Sequence, residues 1–129
     1  FHGALPHLQL INELNALDFL LHPSLEESFG VVIAEAMALG LPIVAGNTSG
    51  AIPWVVSQRE AYPKPCCAVL TDVSNPNAIV RAMQNAFDDH YTQRSATGYD
   101  RAREMFAPDV ISNAYMAHYK QIIQATPNI

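Results

Sequence analysis

Cysteine is nearly absent from this 129-residue chain, occurring only as the adjacent pair Cys66 and Cys67. Two neighbouring cysteines form neither a disulfide framework nor a spaced metal or redox motif. They read as small apolar residues beside a strand, in a chain that suits a reducing compartment. Charge is also scarce, at 15% of residues, and seven Lys plus Arg against twelve Asp plus Glu give a formal net charge of −5. The cations Arg59, Lys64, Arg81, Arg94, Arg101, Arg103 and Lys120 are scattered, which argues against nucleic acid or an anionic membrane as a partner. No apolar run reaches the roughly 18 to 20 residues of a membrane span, because Pro42, Gly46 and Asn47 interrupt the longest one. Gly-x-Gly-x-x-Gly is absent, as is a serine in a nucleophile-elbow context, so simple dehydrogenase and hydrolase chemistries lack their carriers. His2, His7, His22, His90 and His118 share no metal-ligand spacing and read as surface or edge residues, with His22 packing beside Pro23.

What is present is half hydrophobic, enough at this length for a single domain, residues 1–129, with a genuine core. A start at Phe1, without Met or a basic leading segment, predicts a piece of a longer protein. Strand-length apolar segments alternate with amphipathic helical ones, the pattern of an α/β fold. Leu10, Ile11, Leu14 and Leu17 mark a helix over 8–17, and Phe19, Leu20 and Leu21 the buried strand after it. A short helix over 29–39 stops at Gly40 and Pro42. The strand Pro42, Ile43, Val44, Ala45 follows, then a turn and a further short helix that includes Trp54 to Val56. Beyond a Pro-rich loop over 58–65, Cys67, Ala68, Val69 and Leu70 form another strand. Asn75 as cap and Pro76 at the first position open a helix with the stripe Ile79, Ala82, Met83, Ala86 and Phe87. Two more helices, over 93–105 and 108–124, complete the chain, and the last carries Ile111, Ala114, Tyr115, His118, Tyr119 and Ile122 on one face.

The segment from His22 to Ala45 joins the carboxyl end of a strand, a loop and a helix N-terminus. In parallel α/β sheets that junction forms the ligand crevice, where unpaired N–H groups and the helix dipole favour phosphate or diphosphate. Glu35 shares the stripe Val31, Glu35, Leu39 and is expected to face the sheet, where a carboxylate needs partners. The vicinal diol of a ribose would satisfy both of its oxygens, and an internal Arg, Lys or backbone N–H would serve equally. Glu27 lies in the crevice loop, able to accept from a sugar's hydroxyls or simply to favour the helix dipole. Gly30 lets a ligand approach the backbone closely.

Glu27 and Glu35 are separated by seven residues, with Phe29-Gly30 just after the first, Pro23-Ser24 before it, and Glu35-Ala-Met-Ala-Leu-Gly-Leu-Pro-Ile-Val-Ala45 behind. This string resembles the donor-binding signature of retaining glycosyltransferases of the two-Rossmann-domain (GT-B) type, the group related to glycogen synthase and sucrose synthase. The resemblance extends over most of the chain: Phe1-His2-Gly3 looks like the end of the strand preceding the motif, Ala68-Val69-Leu70 with Asn75-Pro76 like a later strand and helix, and Met105 to Ala107 with Tyr115 to Tyr119 like the terminal helices. It implies a Rossmann-like three-layer α/β/α fragment with a parallel sheet of about four strands, an incomplete C-terminal domain. It also implies that Glu27, the catalytic-site residue, binds the donor sugar's hydroxyls and Glu35 the nucleotide ribose, while the backbone at Ser28, Phe29, Gly30 and Val31 holds sugar and diphosphate. The donor would be a nucleotide-sugar such as a UDP- or GDP-sugar, with no metal and no other cofactor. Leaving-group charge would be met by helix dipole and basic side chains.

Two departures stand out: Pro53-Trp54 replaces the family's common Pro-Glu, and the turn over 48–51 is one residue longer, so no ligand contacts are read between Asn47 and Trp54. The strands and basic residues that precede the signature in the family, and its N-terminal acceptor domain, are not in this chain. The expectation is half a donor site, catalytically silent alone, from a cytoplasmic parent, or one at the inner membrane face, that transfers sugar to a glycan or lipid acceptor in polysaccharide or glycoconjugate synthesis. The Tyr115 and Tyr119 face would leave an apolar patch open to self-association. A sugar-nucleotide epimerase or phosphorylase relative, and a degenerate association domain, are the alternative readings.

Overall fold

Apolar runs bounded by turns, alternating with helical stripes, condense into parallel β-α-β order. The computed structural model describes residues 1–56 and 66–125. In chain order the elements are α1 (His7–Leu14), β1 (Leu20–His22), α2 (Val31–Ala38), β2 (Ile43–Gly46), α3 (Ile52–Val55), β3 (Ala68–Thr71), α4 (Pro76–Ala86), α5 (Tyr91–Arg101), a π-helical turn (Ala102–Phe106) and α6 (Pro108–Ala125). The Pro-rich loop read over 58–65 lies outside the described residues.

The sheet runs β1-β2-β3, all parallel, with Leu20 opposite Ile43 and Ile43 opposite Ala68. Successive side chains of a strand point to opposite faces, and the central β2 is apolar on both. Ile43 and Ala45 join Ile33, Met37, Ile52 and Val55 on one side, while Val44 meets Ala82 and Ala86 of α4 on the other. The α/β/α layering expected from the sequence follows. Asn75 caps α4 as expected, its side-chain oxygen accepting from the N–H groups of Asn77 and Ala78 at 3.0 and 3.3 Å, with Pro76 behind it.

Three expectations need correction. The sheet has three strands among the described residues, against about four expected, because Phe1-His2-Gly3 is not a strand. Gly3 takes φ +68°, which turns an extended chain aside. Glu35 does not face the sheet. Ile33, Ala36 and Met37, all fully buried, form the inward stripe of α2, and Glu35, two residues from both Ile33 and Met37, projects to the other side. The helix expected over 93–105 is α5 followed by the wider π turn. Ala107 then extends (φ −61°, ψ 141°), as suits a residue before proline, and α6 starts at Pro108. No residue of α6 is buried, and Tyr115 and Tyr119 stack on each other with ring centroids 6.3 Å apart.

Asp88 closes the turn between α4 and α5. Arg94 grips both of its oxygens, at 2.8 and 2.9 Å, and the His90 N–H adds a third bond, which together hold its carboxyl down at about 2. A carboxyl depressed in the folded state contributes stability that is present above the ordinary range near 4 and is lost as pH falls toward 2. Thermal melts of Asp88→Asn are therefore expected to change less between pH 4 and 2 than those of the unsubstituted chain. Parallel acid limbs would show that the pair contributes nothing.

Candidate functional site

The loop from β1 to α2 is built around Glu27. Its Oε1 accepts the Ser28 N–H at 2.9 Å, and His22 Nε2 stands 3.5 Å from Oε2. Desolvation, the largest single influence, pushes this carboxyl up. The backbone N–H groups of Phe29, Ser28 and Gly30, with His22, outweigh it and hold the group below the ordinary carboxylate range. Glu27 is thus ionised at neutral pH and fixed in direction. Gly30 turns the chain into α2 with φ +78°, and a Cβ there would press on Ile33 Cδ1 at 3.1 Å and Glu27 Cγ at 3.3 Å.

The second loop, between β2 and α3, is stapled to the first. The buried Ser49 donates its hydroxyl to the Ser24 carbonyl, and the Ala51 N–H reaches the Glu27 carbonyl at 3.3 Å. Gly50, at φ +52°, lies so close to Glu27 that a Cβ would sit 1.9 Å from that same carbonyl oxygen. Glu26, Glu27, Ser28, Thr48 and Gly50 line the resulting polar cleft of about 530 Å³ beside the carboxyl ends of β1 and β2. Sequence reasoning reads no contacts into this second loop; its small residues, Ser49-Gly50-Ala51, are the available signal. Trp54 is a packing residue. Its ring lies 6.4 Å from Phe29 and 5.9 Å from Phe106, with the Arg101 guanidinium 5.7 Å from its centroid.

The expected site residues divide between two cavities. Glu27 and Ser28 line the polar cleft, whereas Phe29, Val31 and Glu35 line a largely apolar cavity of about 470 Å³ shared with Ala34 and Phe106, and Gly30 is buried at the start of α2. Glu35 has a protein partner, though it is not the Arg, Lys or backbone N–H that the sequence left open as an alternative to a ribose diol: His7 Nε2 lies 2.6 Å from its Oε1. Among the described residues, no group of three or more His, Cys, Asp or Glu could hold a metal ion, and no helix is long and apolar enough to cross a membrane.

A model of the family described as glycosyl transferases group 1 matches residues 1–104. The chain belongs to that family. This group 1 glycosyltransferase chain is 33% identical over 88 residues to the D-inositol 3-phosphate glycosyltransferase of Corynebacterium glutamicum, covering 68% of the chain and 19% of that protein. It is 31% identical over 120 residues to the enzyme of the same name from Streptomyces avermitilis, covering 88% of the chain and 25% of that protein. Its fold superposes on a sucrose-phosphate synthase from Thermosynechococcus elongatus with a TM-score of 0.81 at 26% identity, covering 98% of this chain and 30% of that one. The chain therefore spans about a fifth to a quarter of the length of these curated relatives. It is a Rossmann-like α/β fragment of a GT-B glycosyltransferase.

Proposed function

We propose that this chain forms one domain-sized part of the nucleotide-sugar site of a retaining glycosyltransferase, whose parent transfers sugar to a glycan or lipid acceptor. The observation that carries the reading is the Glu27 carboxylate, ionised and aimed by backbone N–H groups at the rim of a polar cleft beside the N-terminus of α2. In this reading Glu27 accepts from the donor sugar's hydroxyls, the backbone from Ser28 to Val31 follows sugar and diphosphate, and Glu35 takes the ribose diol. The dipole of α2 favours the leaving diphosphate as its charge develops, with no metal required. The acceptor binds parts of the protein outside this chain, so the chain alone is inactive. The location is cytoplasmic, or peripheral at the inner membrane face.

A second reading, an association domain that no longer binds donor, is favoured by α6. Tyr115, Met116, Tyr119, Ile122 and Ile123 are all exposed there, a surface suited to self-association.

Ligand-observed NMR with UDP-, GDP- and ADP-sugars separates the two. One nucleotide class is expected to bind with a dissociation constant on the order of millimolar, as a partial site allows, and Glu35→Ala is expected to abolish the signal. Silence toward all three from both this chain and its full-length parent would overturn the donor reading.

A further inference from the structure

The geometry points to His7 as a positioning residue for Glu35, holding its carboxylate in the direction from which it receives the ribose hydroxyls; this rests on the donor-binding reading above. His7 is the first residue of α1, entered through Pro6, and Leu10, Ile11 and Leu14 anchor that helix on the core. The anchoring carries the imidazole to α2, where Nε2 stands 2.6 Å from Glu35 Oε1 across 28 residues of sequence.

Glu35 needs such a partner more than Glu27 does. Backbone N–H groups converge on Glu27, whereas Glu35 emerges from a cavity wall whose neighbouring side chains Val31, Ala34, Ala38 and Phe106 offer no donor. Arg103, on the same wall, has its guanidinium over the Tyr99 ring at 5.7 Å. A glutamate side chain left to itself samples many rotamers, and a ligand that needs one of them must order it on binding. The His7 bond does that in advance. A carboxylate has about four acceptor positions, and His7 uses one, so two adjacent hydroxyls can still be received.

The exposures make the idea separable from a structural role. The Glu35 side chain is 20% exposed and that of His7 71%, so removing the imidazole opens no core cavity. His7→Ala is expected to leave the melting temperature within about 2 °C and to weaken UDP or GDP binding about fivefold. His7→Gln, whose amide nitrogen can donate from a similar place, is expected to restore most of it.

A readout without nucleotide accompanies these. The imidazole ¹⁵N signals of His7 are expected to shift on Glu35→Gln and to stay put on Glu27→Ala. Unmoved signals would mean the pair does not form, overturning the proposal whatever the nucleotides do. Shifted signals with no UDP, GDP or ADP nucleotide bound by either this chain or its full-length parent would mean the donor reading fails by itself, taking the positioning role with it. Equal or tighter binding by His7→Ala would show that the imidazole is a bystander or a competitor, and would also overturn it.

Discussion

Gly50→Ala is expected to cost about 2 to 4 kcal/mol of stability and about 10 °C of melting temperature, and, under the proposed donor-site function, to abolish nucleotide-sugar binding. Two costs combine at this position. The left-handed φ of +52° penalises any residue with a Cβ, and the added atom would lie 1.9 Å from the Glu27 carbonyl oxygen and 3.0 Å from its carbon. Both are backbone atoms, unable to yield as the tip of a flexible side chain would. Relief requires the two loops to separate, breaking the Ala51 to Glu27 bond and the Ser49 to Ser24 bond, and with them the wall that holds Glu27. Gly3→Ala isolates the backbone part, because Gly3 has a similar φ of +68° and a Cβ added there would meet nothing within 4 Å. Equal melting temperatures for the two variants would disprove the close approach of the loops.

Arg101→Met is expected to lower stability by about 3 to 5 kcal/mol, or about 10 to 20 °C in melting temperature. Arg101 is completely buried, among the largest side chains that are. Its Nε donates to the Val55 carbonyl and its Nη2 to the Trp54 carbonyl, each at 2.7 Å, while the guanidinium sits 5.7 and 5.8 Å from the Trp54 and Phe106 ring centroids. A helix end leaves carbonyls without intrahelical partners, and one planar cation here answers two of them at the close of α3. Methionine has comparable length and no donor, so both bonds would be lost, the one to the Val55 carbonyl in a buried setting. Arg101→Lys should recover only part of the loss, since an ammonium lacks the fork. The damage should reach the cleft, because Trp54 packs on Phe29, next to Ser28. A melting temperature within 2 °C of the parent would refute the role.

These two residues show where sequence reasoning stops. In the sequence Arg101 is one of seven scattered cations, and nothing local distinguishes it; its partners lie 46 and 47 residues away. Gly50 reads as a turn glycine, which it is, but its tight contact belongs to a second loop. Glu35 is recognisable as the odd carboxylate of an apolar helix, yet the side of the helix it occupies is not the one its stripe suggests. Val31, Glu35 and Leu39 do share a stripe. The neighbouring stripe of Ile33, Ala36 and Met37 wins the sheet because it buries more apolar surface. Trp54 changes most in meaning, from an unexplained departure to part of the aromatic support behind the loop.

From the sequence alone come the features that depend on near neighbours in the chain. The alternation of strand and helix, the Asn75-Pro76 cap, the stop at Gly40 and Pro42, and the spacing of Glu27, Gly30 and Glu35 are all local, set by side-chain period and backbone preference within a few residues. Only the tertiary structure decided which side of α2 carries Glu35, that His7 meets it, that Ser49, Gly50 and Ala51 clamp the Glu27 loop, and that Arg101 closes α3. Those contacts join segments that become neighbours only when both faces of β2 are covered. Their pairing is therefore a property of how the layers dock, which no short stretch of sequence contains.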